Sequence, residues 1–203
     1  MTTPLVLGLD IGTSGVRAGL FDERANEIAG VRINREATDF TELNPDSLIA
    51  EVTAAIDQLV ATHSDIGKIE LISISAFWHS LMGIDESGSP TTSLLTWADT
   101  RATQIAKSFR AEFNESEIHL RTGCRFHSSY WPAKLRWLQT ERTDAYVRTK
   151  QWIGFAEYLC LQLFGYRIAS ISMAFATGLL NQKNCDWDWE FVSALGVVRE
   201  SLP

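Results

Sequence analysis

Leu5 to Asp10 opens the chain with an apolar run of β-compatible residues, which Gly12-Thr13-Ser14-Gly15 interrupts as a turn cluster. Val16 to Asp22 resumes the apolar pattern, and Asn26 breaks it again before Glu27 to Asn34. Three neighbouring strands joined by short turns predict an antiparallel meander. Asn44-Pro45-Asp46 then predicts a helix start, because a proline in the first turn gives up an N–H that has no helical partner anyway. Leu48, Ile49, Val52, Ala55, Ile56 and Val60 follow at helical spacing on one stripe. Lys68 to Ala76, with Ile69, Leu71, Ile72 and Ile74, predicts a buried strand. Strand, strand, strand, helix, strand, with helices beyond, describes an α/β layered domain with a mixed sheet and flanking helices.

Further along, Leu81 to Asp85 and Ser93 to Trp97 flank the turn Glu86-Ser87-Gly88-Ser89-Pro90 and predict a hairpin. Asp99 is placed to cap a helix over Thr100 to Phe113. Amphipathic helices are predicted at about Pro132 to Gln139 and Phe155 to Phe164, the latter closed by Gly165. Asp186 to Gly196 predicts a short helix with Trp187, Phe191 and Leu195 on one face. There is no internal repeat, proline-rich linker or charge block.

Composition narrows the function classes. An apolar content of 45% over 203 residues suits one sizeable core and argues against polar disorder. Lys+Arg 18 against Asp+Glu 25 gives a formal charge of -7, and the basic residues are scattered, so nucleic acid is not an expected partner. No apolar stretch approaches the roughly 20 residues that span a bilayer, and nothing basic precedes the first apolar run as in a secretory signal, so a membrane role is not expected either. Cys124, Cys160 and Cys185 have no metal-like spacing and are odd in number, which fits reduced thiols in a cytoplasm.

The segment Gly8-Leu9-Asp10-Ile11-Gly12-Thr13-Ser14-Gly15-Val16-Arg17 carries the most chemistry. A carboxylate at the end of a strand, followed by glycine and two hydroxyl residues in a turn, sets an anion beside exposed N–H groups. Such a turn can hold a phosphate chain while the carboxylate orients Mg²⁺ or its waters. It is not a Walker A loop, nor a Gly-x-Gly-x-x-Gly fingerprint. The plainer alternative is an ordinary β-turn.

The turn between the first two strands of a meander resembles the first phosphate loop of the actin, Hsp70 and sugar kinase superfamily. Further segments resemble one branch of it, the FGGY carbohydrate kinases: Leu7 to Ser14 with Arg17, Trp97-Ala98-Asp99-Thr100-Arg101, Thr122-Gly123 with Lys134 and Trp137, and Ser172-Met173-Ala174 before Thr177-Gly178-Leu179-Leu180. They occur in the family's order along essentially the whole chain. His79-Ser80-Leu81, Thr96 to Asp99 and Tyr130 through Pro132-Ala133-Lys134-Leu135 are most similar to gluconokinase-type members, whereas xylulokinases carry Gln-Met-His where this chain has Phe77-Trp78-His79.

The resemblance implies a ribonuclease H-like domain of the actin-like ATPase superfamily, with a substrate-side insertion over about 78–140. It implies ATP and Mg²⁺ as cofactors, a sugar or sugar acid as substrate, a cytoplasmic location, and leaves room for a homodimer. By position, Asp10 matches the metal-orienting carboxylate and Gly12, Thr13, Ser14 and Arg17 the phosphate loop. Trp78, His79, Asp99, Arg101 and Tyr130 match the substrate side, where a guanidinium fork such as Arg101 also suits a gluconate carboxylate. The residues leave other roles open: Trp78 and His79 as core groups, Asp99 as an N-cap and Arg101 as a surface cation. His127 also falls in this loop.

The family's base, an aspartate in a Gly-x-Asp motif, is expected beyond a Leu-Pro like Leu202-Pro203, so no residue of this chain is assigned as the catalytic base. The second lobe is not represented either. The expectation is therefore the N-terminal lobe of a gluconate-type kinase, itself inactive. Xylulose or another polyol as substrate, a non-catalytic sugar-binding or assembly module, and an actin- or Hsp70-like ATPase are the alternatives.

Overall fold

A computed structural model describes residues 4–36, 39–63 and 65–203. The chain divides into two compact units, one from residues up to Asp39 together with Asp46–Phe77, the other from Phe40–Pro45 together with Trp78–Pro203. No helix among the described residues is long and apolar enough to cross a membrane.

In the first unit, strands β1 (Pro4–Gly12), β2 (Gly15–Phe21) and β3 (Glu27–Asn34) form the expected meander, with β2 antiparallel to both neighbours. After a two-residue strand β4 (Glu42–Leu43) that belongs to the second unit, helix α1 (Pro45–His63) leads into β5 (Lys68–Ala76), which lies parallel to β1. The sheet is mixed, in the order β3-β2-β1-β5. The period-two pleat sorts its faces. Leu5, Leu7, Leu9, Ile11, Val16, Ala18 and Leu20 are buried on one side. Gly8, Asp10, Arg17, Gly19, Phe21, Gly30, Ser73 and Ser75 belong to the lining of an open cavity of about 540 Å³.

Two expectations change here. The α1 stripe buries Leu48, Val52, Ala55 and Leu59, and it is Leu59 rather than Val60 that closes it, four residues after Ala55; Val60 stays exposed. Strand β5 forms, but Leu71 and Ile72, which as neighbours in a strand point to opposite faces, are both exposed.

The second unit is mainly helical. Its elements are β6 (Met82–Ile84), β7 (Leu94–Leu95), α2 (Thr103–Glu112), α3 (Glu115–Thr122), α4 (Trp131–Glu141), α5 (Thr143–Arg148), β8 (Gln151–Ile153), α6 (Phe155–Phe164), α7 (Ile171–Phe175), β9 (Leu180–Asn181), β10 (Asp186–Trp187) and α8 (Trp189–Ala194). Phe109, Phe126, Trp131, Leu135, Leu138, Trp152, Leu179 and Phe191 are among the residues of its core. Helix α6 ends as expected at Gly165, whose φ of 73° is the left-handed cap geometry that glycine adopts without steric cost.

The hairpin over Leu81–Asp85 and Ser93–Trp97 is replaced by longer-range pairings. The turn itself is made, with Gly88 N–H donating to Asp85 O and Asp85 N–H to Ser89 O. However, β6 pairs with β8 and β7 with β4; between the two arms the described bridge is Leu81–Leu95, and Ile84 bridges to Pro90 in the turn. The helix expected over Thr100–Phe113 starts at Thr103, because the Asp99 carboxylate accepts from the N–H of Arg101 and shapes a turn there. Asp99 is thus not the cap of α2. At the C-terminal end, the chain makes the β9–β10 hairpin first, and helix α8 is confined to Trp189–Ala194, capped by Asp188.

Candidate functional site

In the first unit the candidate phosphate loop is the tip of the β1–β2 hairpin. Register places Gly12 opposite Gly15 and Asp10 opposite Arg17. Gly15 has φ 151°, and a Cβ there would stand 2.2 Å from the carbonyl oxygen of Ile33, so only glycine fits. Arg17 Nη1 donates to Asp10 Oδ2 at 2.6 Å in a cross-strand pair with both side chains half exposed. An exposed pair of this kind contributes at most about 1 kcal/mol, so an incoming phosphate or cation can separate it cheaply.

The carbonyl side of the turn is held by a residue that the sequence reading did not single out. Arg35 donates through Nη1 to the carbonyls of Gly12 and Thr13, through its backbone N–H to Ser14 O, and pairs with Glu51 of α1. With those carbonyls engaged, the turn is fixed at its base while Ser14 is exposed at its tip. Among the described residues no group of three or more His, Cys, Asp or Glu could hold a metal. A Mg²⁺ that arrives with nucleotide phosphates and keeps its waters needs only one or two protein carboxylates, and the exposed Asp10 suits that donor set.

In the second unit the candidate sugar-side residues fall into two groups. Trp78, His79 and Tyr130 meet through their rings: His79 lies edge-on to Tyr130 with centroids 4.9 Å apart and to Trp78 at 5.9 Å. His127 is 6.2 Å from Tyr130. Trp78 is half exposed. His79 Nδ1 lies 2.8 Å from the carbonyl oxygen of Ala176. A carbonyl only accepts, so Nδ1 carries the proton, and in the neutral ring Nε2 is an acceptor. Burial pushes the His79 pKa below its ordinary value, the Ala176 contact opposing this and Lys134 and His127 adding to it, so the neutral form prevails at neutral pH. Burial likewise raises the Tyr130 hydroxyl, beside Cys124.

Asp99 and Arg101 form the second group and are occupied with each other. Arg101 Nε and Nη2 each donate to Asp99 at 2.9 Å, Nη1 pairs with Glu42 at 2.5 Å, and the guanidinium sits 4.3 Å from the Trp137 ring centre. The hydrogen bonds to Asp99 are the main reason the Arg101 pKa is raised. Between the two groups lies Lys134 of α4, with no exposed surface. Its Nζ donates to His79 O and to Thr96 O, each at 2.6 Å. Its place in a motif was visible in the sequence; its burial was not, because a lysine in an amphipathic helix normally marks the wet face.

The FGGY family of carbohydrate kinases, N-terminal domain, matches residues 5–203. The gluconokinase of Bacillus subtilis (strain 168) is 33% identical over 98% of this chain and 40% of its own length. The crystal structure of gluconate kinase from Lactobacillus acidophilus superposes with a TM-score of 0.89 at 29% identity, covering 100% of this chain and 42% of that one. The ligand-bound xylulose kinase from the same organism gives 0.91 at 30%, covering 98% and 41%. This chain therefore spans about 40% of the length of the curated relatives it matches. It belongs to the FGGY family of carbohydrate kinases, whose N-terminal domain it carries.

Proposed function

We propose that the chain is the sugar-side lobe of a kinase that transfers the γ-phosphoryl group of ATP to a hydroxyl of a sugar acid of the gluconate type. The observation that carries this reading is His79, whose Nδ1–H is committed to a carbonyl so that Nε2 is left to accept a hydroxyl hydrogen. Beside it the half-exposed ring of Trp78 offers a surface for the C–H face of a sugar, and Tyr130 backs the imidazole. In the first unit, Gly12, Thr13 and Ser14 would cradle phosphate oxygens with backbone and hydroxyl donors, and Arg17 would supply positive charge. Asp10 would hold Mg²⁺ through its free carboxylate edge; when bound, the metal neutralises charge on the transferring phosphate.

The carboxylates of these groups are poorly placed to serve as base. Asp99 is buried and doubly bonded to Arg101, and Asp10 belongs to the phosphate side. The likeness to the family, rather than the geometry, supports assigning the base to a part of the kinase that this chain does not span, and with it the expectation that the chain alone is inactive. Xylulose is the second reading for the substrate, favoured by the equal likeness to a xylulose kinase.

Calorimetry of the chain with gluconate, xylulose and glycerol, beside a coupled ADP-release assay with ATP and Mg²⁺, tests this. Weak gluconate binding that disappears in His79→Ala, with no turnover, is expected. Tighter binding of xylulose would overturn the gluconate preference, phosphorylation by the chain alone would overturn the missing base, and ATP turnover without sugar would point to an ATPase. Binding of no sugar at all would favour an assembly module. In a kinase completed by its C-terminal part, near wild-type turnover of Asp10→Asn would sink the metal role.

A further inference from the structure

We propose that Lys134 is the positioning residue of the sugar-side cluster: by donating to the carbonyls of His79 and Thr96, it holds His79 in a left-handed backbone conformation and so fixes the imidazole. The assignment of sugar contact to His79 is the reading given above; the coupling between Lys134 and His79 stands without it.

The first observation is backbone strain. His79 has φ 63°. A non-glycine residue there is strained and persists only where its surroundings determine it from several sides. The peptide after His79 is tethered repeatedly: Lys134 Nζ to His79 O at 2.6 Å, Trp131 Nε1 to Ser80 O at 2.8 Å, and Phe155 N–H to Ser80 Oγ at 3.0 Å. Lys134 holds the strained residue's own carbonyl, where Ala176 O holds its ring, and its second bond, to Thr96 O, ties the same point to the segment that carries Asp99 and Arg101.

The second observation is where the amine has been put. Lys134 has no exposed surface, and no carboxylate lies within ion-pair reach of it in the described residues; Asp99, which attracts it from farther off, is taken up by Arg101, which repels it. A buried lysine whose close partners are neutral carbonyls loses hydration without gaining an ion pair, which is costly. A methionine or leucine would fill the space at lower cost, so what the amine adds is two donors at defined points. Burial lowers its pKa to about 7, and the neutral amine still has two N–H donors for the two carbonyls. The tether therefore survives in either protonation state.

The test is long-range ¹H–¹⁵N spectroscopy of the ¹⁵N-histidine-labelled chain, which contains four histidines. Wild type should show His79 as one tautomer with the proton on Nδ1. Lys134→Met should give a mixture of tautomers at His79 and a pKa returned toward the ordinary value, with His63 and His119 unmoved. Lys134→Gln, which keeps donors on a shorter stem, should fall between. A folded Lys134→Met chain with an unchanged His79 signature, however much less stable, overturns the proposal, since a merely structural lysine would act that way. If Lys134→Met does not fold, adding His79→Gly decides: glycine takes φ 63° freely, so recovery of folding supports the coupling and failure to recover overturns it. Gluconate calorimetry on the same variants separates the two readings. Loss of the tautomer with about tenfold weaker gluconate binding, equivalent to one positioned hydrogen bond, supports both; loss of the tautomer with unchanged affinity removes His79 from the sugar site and leaves the positioning role standing.

Discussion

The buried amine of Lys134 makes stability depend on pH above neutrality. In the unfolded chain Lys134 has its ordinary pKa of 10.5; in the folded chain burial depresses it to about 7, with attraction from Asp99 and repulsion from Arg101 as smaller effects. Between these values the unfolded state binds more protons, so stability rises with pH. The limiting slope is about 1.4 kcal/mol per pH unit, and integrating over pH 7.5 to 8.5 gives about 1.2 kcal/mol. The window is chosen against the neighbours. His79, whose pKa is lowered, also adds stability as pH rises, but only up to about the ordinary value for histidine, below this range. Cys124, Cys160 and Tyr130, whose pKa values burial raises, oppose the trend as pH climbs toward and through the ordinary thiol value, but they do so in wild type and Lys134→Met alike, so the difference between the two slopes isolates the lysine. The assay is urea unfolding at pH 7.5, 8.0 and 8.5 of wild type and Lys134→Met, followed by tryptophan fluorescence and circular dichroism. Wild type should gain about 1 kcal/mol more than the variant across the range. Equal slopes in the two proteins would refute the reasoning, because the proton uptake would then belong to another group.

Other consequences are more local. Gly15→Val should destabilise the first unit by about 3 kcal/mol or more in urea melts, through left-handed strain and the close approach to Ile33 O; a loss below about 1 kcal/mol would mean that the turn relaxes. Phe109→Ala removes a buried ring that packs edge-on to Phe113 and Phe126 and should cost about 3–5 kcal/mol by the same measurement. Arg121→Met strands the buried Asp188 carboxylate, which Arg121 engages at 2.6 Å and 3.2 Å and which caps α8, so a loss of about 3 kcal/mol is expected, against near neutrality if Asp188 can turn to water. Arg35→Ala should leave the chain folded but raise hydrogen exchange at the Gly12–Gly15 turn; unchanged protection there would show that the hairpin needs no brace.

What could be read from the sequence was what local chemistry dictates. The meander, the proline-started helix α1 and the glycine stop of α6 each rest on a few consecutive residues, and each is found. The missed features are non-local. Residues 81–97 satisfy every local hairpin rule and even make the turn, yet β6 finds Gln151–Ile153 and β7 finds Glu42–Leu43, partners that no local pattern announces. Leu71 and Ile72 read as buried because an apolar run is normally covered on both faces, whereas exposure depends on what covers each face of β5. Arg35 and Lys134 were invisible as structural supports for the same reason. Each serves carbonyls far along the chain, and neither residue type is expected to go inside.

The segment Trp97-Ala98-Asp99-Thr100-Arg101 can be read in two ways. Read as a substrate motif, it offers a carboxylate and a guanidinium fork to an incoming sugar acid. In the folded chain the fork faces Asp99 and Glu42, and its flat side lies on Trp137, so recruiting it to a ligand carboxylate would leave the buried Asp99 without its partner. That cost is of the same order as the gain from a new charge-assisted pair. Helix α4 supplies both restraints on this wall from one face, Lys134 to the carbonyls of His79 and Thr96 and Trp137, three residues on, to Arg101. The spacing of lysine and tryptophan in the motif is thus one helical turn delivering two supports. In this chain that turn fixes the His79 and Thr96 carbonyls and the Asp99–Arg101 pair.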